Sequence, residues 1–345
     1  MKYGKLVYGR INGQGKNQYG NLGDCFQSMA VTNLYRHMGI GKADIVNVKR
    51  TEIARYEGEE AVLPMQGFFL HFKGAEIFPV SKKLTSVFFG FHCLSRADRK
   101  HIRRLPKDMW IGCRDEPTYR VMKKLGKKAY VSGCLTITLP KREKEPENGK
   151  VFLIDAPKGI ERYMPQELRD KAVSDTQAFY WDENMPDEET FASLSAAAAE
   201  RLLKYRDEAA LIVTSRLHVA GPCTAMGIPV VLARHYFDER YAWIDKYLPL
   251  YTPGWFAEID WDAKAPDIEA VKELVLNAAA AAIMNAPDSE ARFMAVHEHY
   301  MSRERGTIKT PLHVKIYHFM LGTFPKTADF VREVLLKRFT VDANR

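Results

Sequence analysis

Short apolar runs alternate with stretches of helical period along the 345 residues, and polar or glycine-rich turns mark the changes from one to the other. Residues 5–11 read as a first strand. The polar segment NGQGKNQYGNLGD follows and leads into a helix over about 25–37. Residues 45–48, 61–64 and 86–92 are further strands. The last of these, within SVFFGFHC, is apolar at nearly every position, as suits a strand covered on both faces. Trp110-Ile111-Gly112-Cys113 is another, closed by Arg114-Asp115 before a helix over 116–125. Residues 131–139 read as the next strand.

The pattern then breaks. PKREKEPENGK is charge, proline and glycine without a core-forming side chain, which predicts a linker or exposed hinge. A new strand starts at Val151-Phe152-Leu153-Ile154-Asp155. Asp187 or Glu188 opens a helix whose apolar positions Phe191, Leu194, Ala198 and Leu202 keep helical spacing. The stretch LIVTSRLHVAGPCTAMGIPVVL reads as a buried strand, a polar turn at Thr214 to His218, a small-residue helix, Gly227 and a strand led by Pro229. Helices near 268–282, 289–303, 314–321 and 328–339 complete the chain. The alternation predicts an α/β protein with mostly parallel sheets. Two Rossmann-like domains are expected, at 1–140 and 151–345 around a linker at 141–150, with the last helix a candidate to pack back on the first domain.

Length supports that division, because 345 residues exceed one ordinary core. Hydrophobic residues at 46% and charged ones at 27% are globular usage and argue against disorder. The net charge of +8 is dispersed among acids, with no basic tract interleaved with aromatics. Nucleic acid is therefore not expected as a partner, and the basicity favours anionic ligands or lipid headgroups. The five cysteines are odd in number and lack CxxC spacing, which fits a reducing compartment better than a disulfide framework or zinc site. MKYGKLVYGR lacks the apolar core of a signal peptide and no run reaches the length of a membrane span. The expectation is a cytoplasmic protein, with peripheral association at the inner membrane face left open.

In open α/β sheets, ligands bind where strands end and helices begin. Polar residues stand at such places in both halves. Asn21-Leu22-Gly23-Asp24 lies at the mouth of a helix, where Asp24 is either a cap or a functional carboxylate. Gly13 and Gly15 do not extend to a dinucleotide fingerprint, because Gln18 occupies the third glycine position. His92 ends a strand, as a buried structural histidine or a working one. Arg114-Asp115 and Ser215 to His218 end two more. A guanidinium suits a carboxylate or phosphate, and imidazole carries protons near neutral pH. The alternative for Arg216 and His218 is a surface salt bridge and a satisfied turn. His297 and His299 fall on opposite faces of a helix and cannot share a metal, and Asp260 and Asp262 form no recognisable site.

These motifs together resemble the polysaccharide pyruvyl transferase family, in order from about residue 20 to 235. The matching elements are the N-x-GD loop Asn21-Leu22-Gly23-Asp24, the strand end Ile111-Gly112-Cys113-Arg114-Asp115 with Thr118, and the T-S-R-L-H turn of Thr214 to His218 running on to Gly227-Ile228-Pro229-Val230. Ser132-Gly133-Cys134-Leu135-Thr136 also looks like one branch of the family. The resemblance implies a GT-B-like arrangement of the two domains with the active site in the cleft between them. It implies transfer of the enolpyruvyl-derived unit of phosphoenolpyruvate to a saccharide acceptor, free or lipid-linked, to form a pyruvate ketal.

On that reading Arg114 and Arg216 hold the donor's carboxylate and phosphate from opposite walls. Asp24 is the candidate base, His218 the candidate acid or phosphate-side donor, and His92 a helper. Asn21, Gly23, Asp115, Thr118, Thr136, Ser215 and Leu217, the last through its backbone, are the candidate substrate-binding residues. No step demands a metal, and no cofactor is expected beyond the donor substrate. Two other readings remain at this point: a GT-B-type glycosyltransferase using a nucleotide sugar, and a non-catalytic carbohydrate-binding relative.

Overall fold

A computed structural model describes residues 1–10, 19–69, 77–93, 96–182, 184–235 and 239–306. The predicted helices at 314–321 and 328–339, the glycine-rich segment at 11–18 and Ser95 lie outside the described residues. The chain is mixed α/β and builds two parallel sheets, consistent with Rossmann-like folding.

The first sheet takes its strands from the first half: β1 (Lys2–Val7), β3 (Ile45–Lys49), β4 (Ala61–Pro64), β6 (Leu84–His92), β7 (Trp110–Cys113) and β8 (Lys128–Val131), in the order β3-β1-β4-β6-β7-β8, all parallel. A short β5 (Gly67–Phe68) pairs with the end of β6. The second sheet runs β10-β9-β12-β13-β14, from β9 (Lys150–Ile154), β10 (Ala172–Asp175), β12 (Ala209–Thr214), β13 (Val230–Ala233) and β14 (Leu250–Tyr251), again all parallel. Every residue of β13 is buried, as are four of the five in β9. This is the near-continuous apolar pattern that strands with both faces covered require.

Helices α1 (Leu22–His37), α5 (Asp187–Glu208) and α6 (Leu217–Ala225) lie between the sheets. α1 buries Phe26, Ala30, Val31 and Leu34 against neighbours from both halves. One hydrophobic core therefore runs from Leu6 and Leu63 through α1 to Phe152, Ile212 and Leu232 without a break at the junction. A small antiparallel pair, β2 (Tyr19–Asn21) with β11 (Ala178–Tyr180), also joins the halves. Arg10 adds to it, donating to the carbonyls of Asp182 (2.9 Å) and Met185 (3.1 Å).

Four expectations change. The first strand, read over 5–11, spans Lys2–Val7 and ends before Tyr8. The strand foreseen over 131–139 stops at Val131. Gly133 takes φ +66°, a left-handed conformation open to glycine, and Leu135–Thr138 follow as a 3-10 turn packed between α1 and α6. The first helix begins at Leu22, earlier than its apolar period suggested, and Asn21 is its cap: the amide side chain accepts from Gly23 N at 3.1 Å. The linker is also more anchored than its composition suggests. Arg142 is buried, with its guanidinium donating to Ala209 O (2.6 Å) and its amide to Met226 O (3.0 Å).

The later helices α7 (Glu269–Met284) and α8 (Ser289–Ser302) cross back to the first sheet. Phe293 stacks on Tyr130 with centroids 4.5 Å apart, and His297 Nδ1 accepts the Val131 amide at 3.1 Å. His299 meets the Tyr247 hydroxyl at 2.9 Å. Both histidines are thus in structural hydrogen bonds. Among the described residues no helix is long and apolar enough to cross a membrane.

Candidate active site

The C-terminal ends of the two sheets meet at the first turns of α1 and α6. α1 brings Asp24 there. Because Asn21 caps the helix, the Asp24 carboxylate is left for other partners, and its Oδ1 accepts from Gln27 Nε2 at 3.2 Å. Burial pushes this carboxyl above its ordinary value, against the charges of Arg50, Arg114 and Arg240 and a hydrogen bond from Asn21. Gly23 is required by close approach: a Cβ there would lie 2.6 Å from Gln177 Oε1 and 2.8 Å from His218 Cβ. The Asn21 to Asp24 loop therefore touches the His218 turn directly.

His92 ends β6 and is buried. Its Nδ1 lies 2.5 Å from Asp115 Oδ2 and 3.1 Å from Thr118 Oγ1. Asp115 follows Arg114 after β7, caps α3 (Glu116–Lys124) by accepting the Thr118 amide at 2.9 Å, and is itself fully buried. Burial alone would raise the Asp115 carboxyl. The His92 ring, the adjacent Arg114 guanidinium and the Thr118 amide outweigh it and hold the group below the ordinary carboxylate range. Burial, aided by Arg114 and Arg240, holds the imidazole below its own ordinary value despite Asp115. The short contact lets the Asp115 carboxylate orient the His92 ring through Nδ1.

His218 sits in the first turn of α6 at φ −87°, ψ 17°, off the helical geometry of its neighbours. Its Nε2 is buried with no hydrogen-bond partner among the described residues. Burial first, then Arg114 and Arg240, hold its pKa well below that of a free histidine. Arg114, fully buried at the end of β7, thus acts on Asp24, His92 and His218 alike.

Arg216 caps the start of α6 by position, with its side chain 42% exposed. Its Nε donates to Asp155 Oδ2 at 2.8 Å, so the turn carries an internal ion pair rather than a bare surface arginine. Ser215 Oγ donates to Asp155 O at 2.6 Å. The Leu217 amide donates to the Tyr241 hydroxyl at 3.0 Å, and that hydroxyl in turn donates to Ser215 O at 2.6 Å. Thr118 and Thr136 are fully buried, Thr118 against His92 and Thr136 on Cys134 Sγ at 3.2 Å. A Cβ on Gly221 would lie 2.8 Å from Thr136 Oγ1, so the small residues of α6 serve its packing on the 3-10 turn.

The structure thus brings Asp24, His92, Arg114, Asp115 and His218 into one electrostatic cluster, with Arg216 and Ser215 on the adjoining turn. It also brings in residues that sequence reasoning missed. Arg50 lies over the Tyr8 ring at 5.8 Å and the Phe69 ring at 5.9 Å. Arg240, in the 3-10 turn Glu239–Tyr241, acts on the same acid and histidines as Arg114. Asp155 and Arg234 follow β9 and β13. The signal for Arg50, Asp155 and Arg234 was available: each immediately follows a strand, as Arg114 does. Arg240 had none. Among the described residues no group of three or more His, Cys, Asp or Glu side chains is placed to hold a metal ion, and all five cysteines are buried thiols.

Residues 71–235 match the family model described as polysaccharide pyruvyl transferase. That span contains His92, Arg114, Asp115, Asp155, Arg216 and His218, and leaves out the Asn21 to Asp24 loop, Arg50 and Arg240. A search of curated proteins finds no match. Among solved structures, the chain is similar to a functionally uncharacterized protein from Klebsiella pneumoniae subsp. pneumoniae, with 15% identity and a TM-score of 0.39 over 70% of this chain and 87% of that one.

Proposed function

For a chain whose residues 71–235 belong to the polysaccharide pyruvyl transferase family, a transferase with a saccharide acceptor, we propose that phosphoenolpyruvate is the donor and a pyruvate ketal the product. The observation that carries the reading is the convergence of Asp24, the His92–Asp115 pair, Arg114 and His218 where the ends of the two sheets meet. The active site is then a GT-B-like cleft between Rossmann-like halves, with the acceptor on the Asp24 side.

Phosphoenolpyruvate carries a carboxylate and a phosphate on a vinylic carbon. Arg114, Arg216 and Arg240 supply the positive charge that two such groups need. In the first step a sugar hydroxyl forms a C–O bond to the substituted carbon while the methylene carbon takes a proton and becomes methyl. In the second, a neighbouring hydroxyl displaces phosphate from that carbon, and its proton leaves with the phosphate or a base. The products are the cyclic ketal and inorganic phosphate.

Asp24, held above the ordinary carboxylate range by burial, is the base toward the acceptor hydroxyl. His218 faces the donor. Burial first, then Arg114 and Arg240, hold this imidazole below its ordinary value, and the donor's negative charges act the other way, favouring the protonated ring that delivers the proton. His92, oriented by Asp115, assists from the first sheet.

Thermal shift with phosphoenolpyruvate, on the wild type and on Arg216→Ala, tests the reading. The wild type is expected to be stabilised, by about 2.7 kcal/mol at a ligand concentration of 100 Kd, with little shift in Arg216→Ala. No shift in either protein, or stabilisation by a nucleoside diphosphate instead, overturns the donor assignment.

A further inference from the structure

Asp155 gathers the turns of the second sheet that border the site. It follows β9 at φ +46°, a left-handed conformation that aspartate and asparagine tolerate better than most other non-glycine residues. From β9 the chain passes to β10 on one flank and, through α5, to β12 on the other. Asp155 and the turn after β12 therefore stand at the topological switch point of this sheet, where open α/β sheets bind ligands.

The Asp155 carboxylate accepts three hydrogen bonds. Oδ1 takes the Thr176 hydroxyl at 2.8 Å, while Oδ2 takes the Gln177 amide at 3.0 Å and Arg216 Nε at 2.8 Å. Its backbone carbonyl accepts Ser215 Oγ at 2.6 Å, and its amide donates to Asp175 O at 3.0 Å. The carboxylate is held from several sides. Arg216 is gripped only at Nε: among the described residues its two terminal nitrogens have no hydrogen-bond partner, and its side chain is 42% exposed.

We propose that Asp155 is a positioning residue for the donor: it fixes Arg216 through Nε so that the outer edge of the guanidinium, Nη1 and Nη2, is presented ready-oriented to a doubly oxygenated anion. The proposal rests on the donor reading above. A guanidinium binds carboxylate or phosphate through a fork of two parallel N–H bonds, and one already held in place loses less freedom on binding. Gln177 extends the effect. Its amide binds Asp155, and its carbonyl accepts the Leu22 amide at 3.0 Å, so the same carboxylate also sets the turn against the start of α1.

The test is donor affinity by phosphoenolpyruvate titration, alongside KM and kcat, in the wild type, Asp155→Asn, Asp155→Ala, Arg216→Ala and the double variant Asp155→Ala/Arg216→Ala. Asp155→Asn keeps the shape and the left-handed backbone and guards against misfolding of the alanine variant. Asp155→Ala is expected to weaken donor binding by roughly tenfold or more, Asp155→Asn less, with KM changed more than kcat. In the Arg216→Ala background, Asp155→Ala is expected to add nothing further. If Arg216→Ala loses the donor while both Asp155 variants keep wild-type affinity, the positioning role is wrong. Additive losses also overturn it, because the carboxylate would then act without Arg216. Failure of the wild type to bind phosphoenolpyruvate is a separate outcome: it overturns the donor reading and takes this proposal with it.

Discussion

Asp24 is pulled two ways, by burial that favours its neutral form and by three guanidinium groups that favour the carboxylate, and burial prevails. A folded-state pKa above the unfolded value of 3.8 means that this group stabilises the fold at low pH, and that the contribution is lost as pH rises through the folded value. Once pH exceeds the folded value, the side chain is a net cost to stability. Asp24→Asn, which keeps an oxygen for Gln27, is therefore expected to raise Tm at pH 7 and to lower turnover by about 10²–10⁴-fold, the range of a lost general base. A variant less stable than wild type with full activity would refute both halves.

His92 and His218 have the opposite sign. Both are held below the unfolded value of 6.5, chiefly by burial. Their contribution is complete above about pH 6.5 and is lost below it, as the unfolded chain takes up protons that the fold refuses. Tm is expected to fall between about pH 6.5 and 5, less steeply in His218→Gln; a flat wild-type profile contradicts it. At this scale the sequence exposed the residues that stand directly after strands within recognisable motifs, Arg114, Arg216 and His218 among them. Arg240 was hidden because its place depends on how a 3-10 turn after β13 folds back on the site, which no local pattern encodes.

The elements show where local pattern and tertiary packing part company. Apolar residues on both sides of Gly133 read as one strand, yet the backbone turns at that glycine and Tyr300 of α8 packs against it. A Cβ there meets the Tyr300 ring at contact too close to keep, in a conformation already strained for L residues. Gly133→Ala is expected to destabilise by about 2 kcal/mol or more, through strain and overpacking together, measured by denaturant unfolding. A change within about 0.5 kcal/mol, the usual scatter of surface substitutions, would remove α8 docking as the reason for the glycine. Elements with strong period, such as α5 and the strand–turn–helix from Leu211, were legible. The cap of the first helix is Asn21 rather than Asp24 because the Asn21 side chain reaches the Gly23 amide, a contact that the apolar period does not show.

For the whole molecule, alternating strands and helices announced parallel sheets, and a charged stretch announced a change between them. What the pattern could not show is that the core crosses the junction, since residues of α1 serve both halves at once. Thermal unfolding of the protein is therefore expected as one cooperative transition. Two well-separated transitions, each assignable to one sheet, would mean that the shared core contributes little.

The three-residue pairing of β2 with β11 has a consequence for turnover. Asn21, the last residue of β2, is also the cap of the helix that carries Asp24, while two residues before β11 stands Thr176, bonded to the carboxylate that holds Arg216. On the proposed reading, the acceptor wall and the donor wall are thus sewn together at the base of the site. Their relative orientation is fixed once, when the chain folds, and that loss of entropy need not recur at each encounter with substrate.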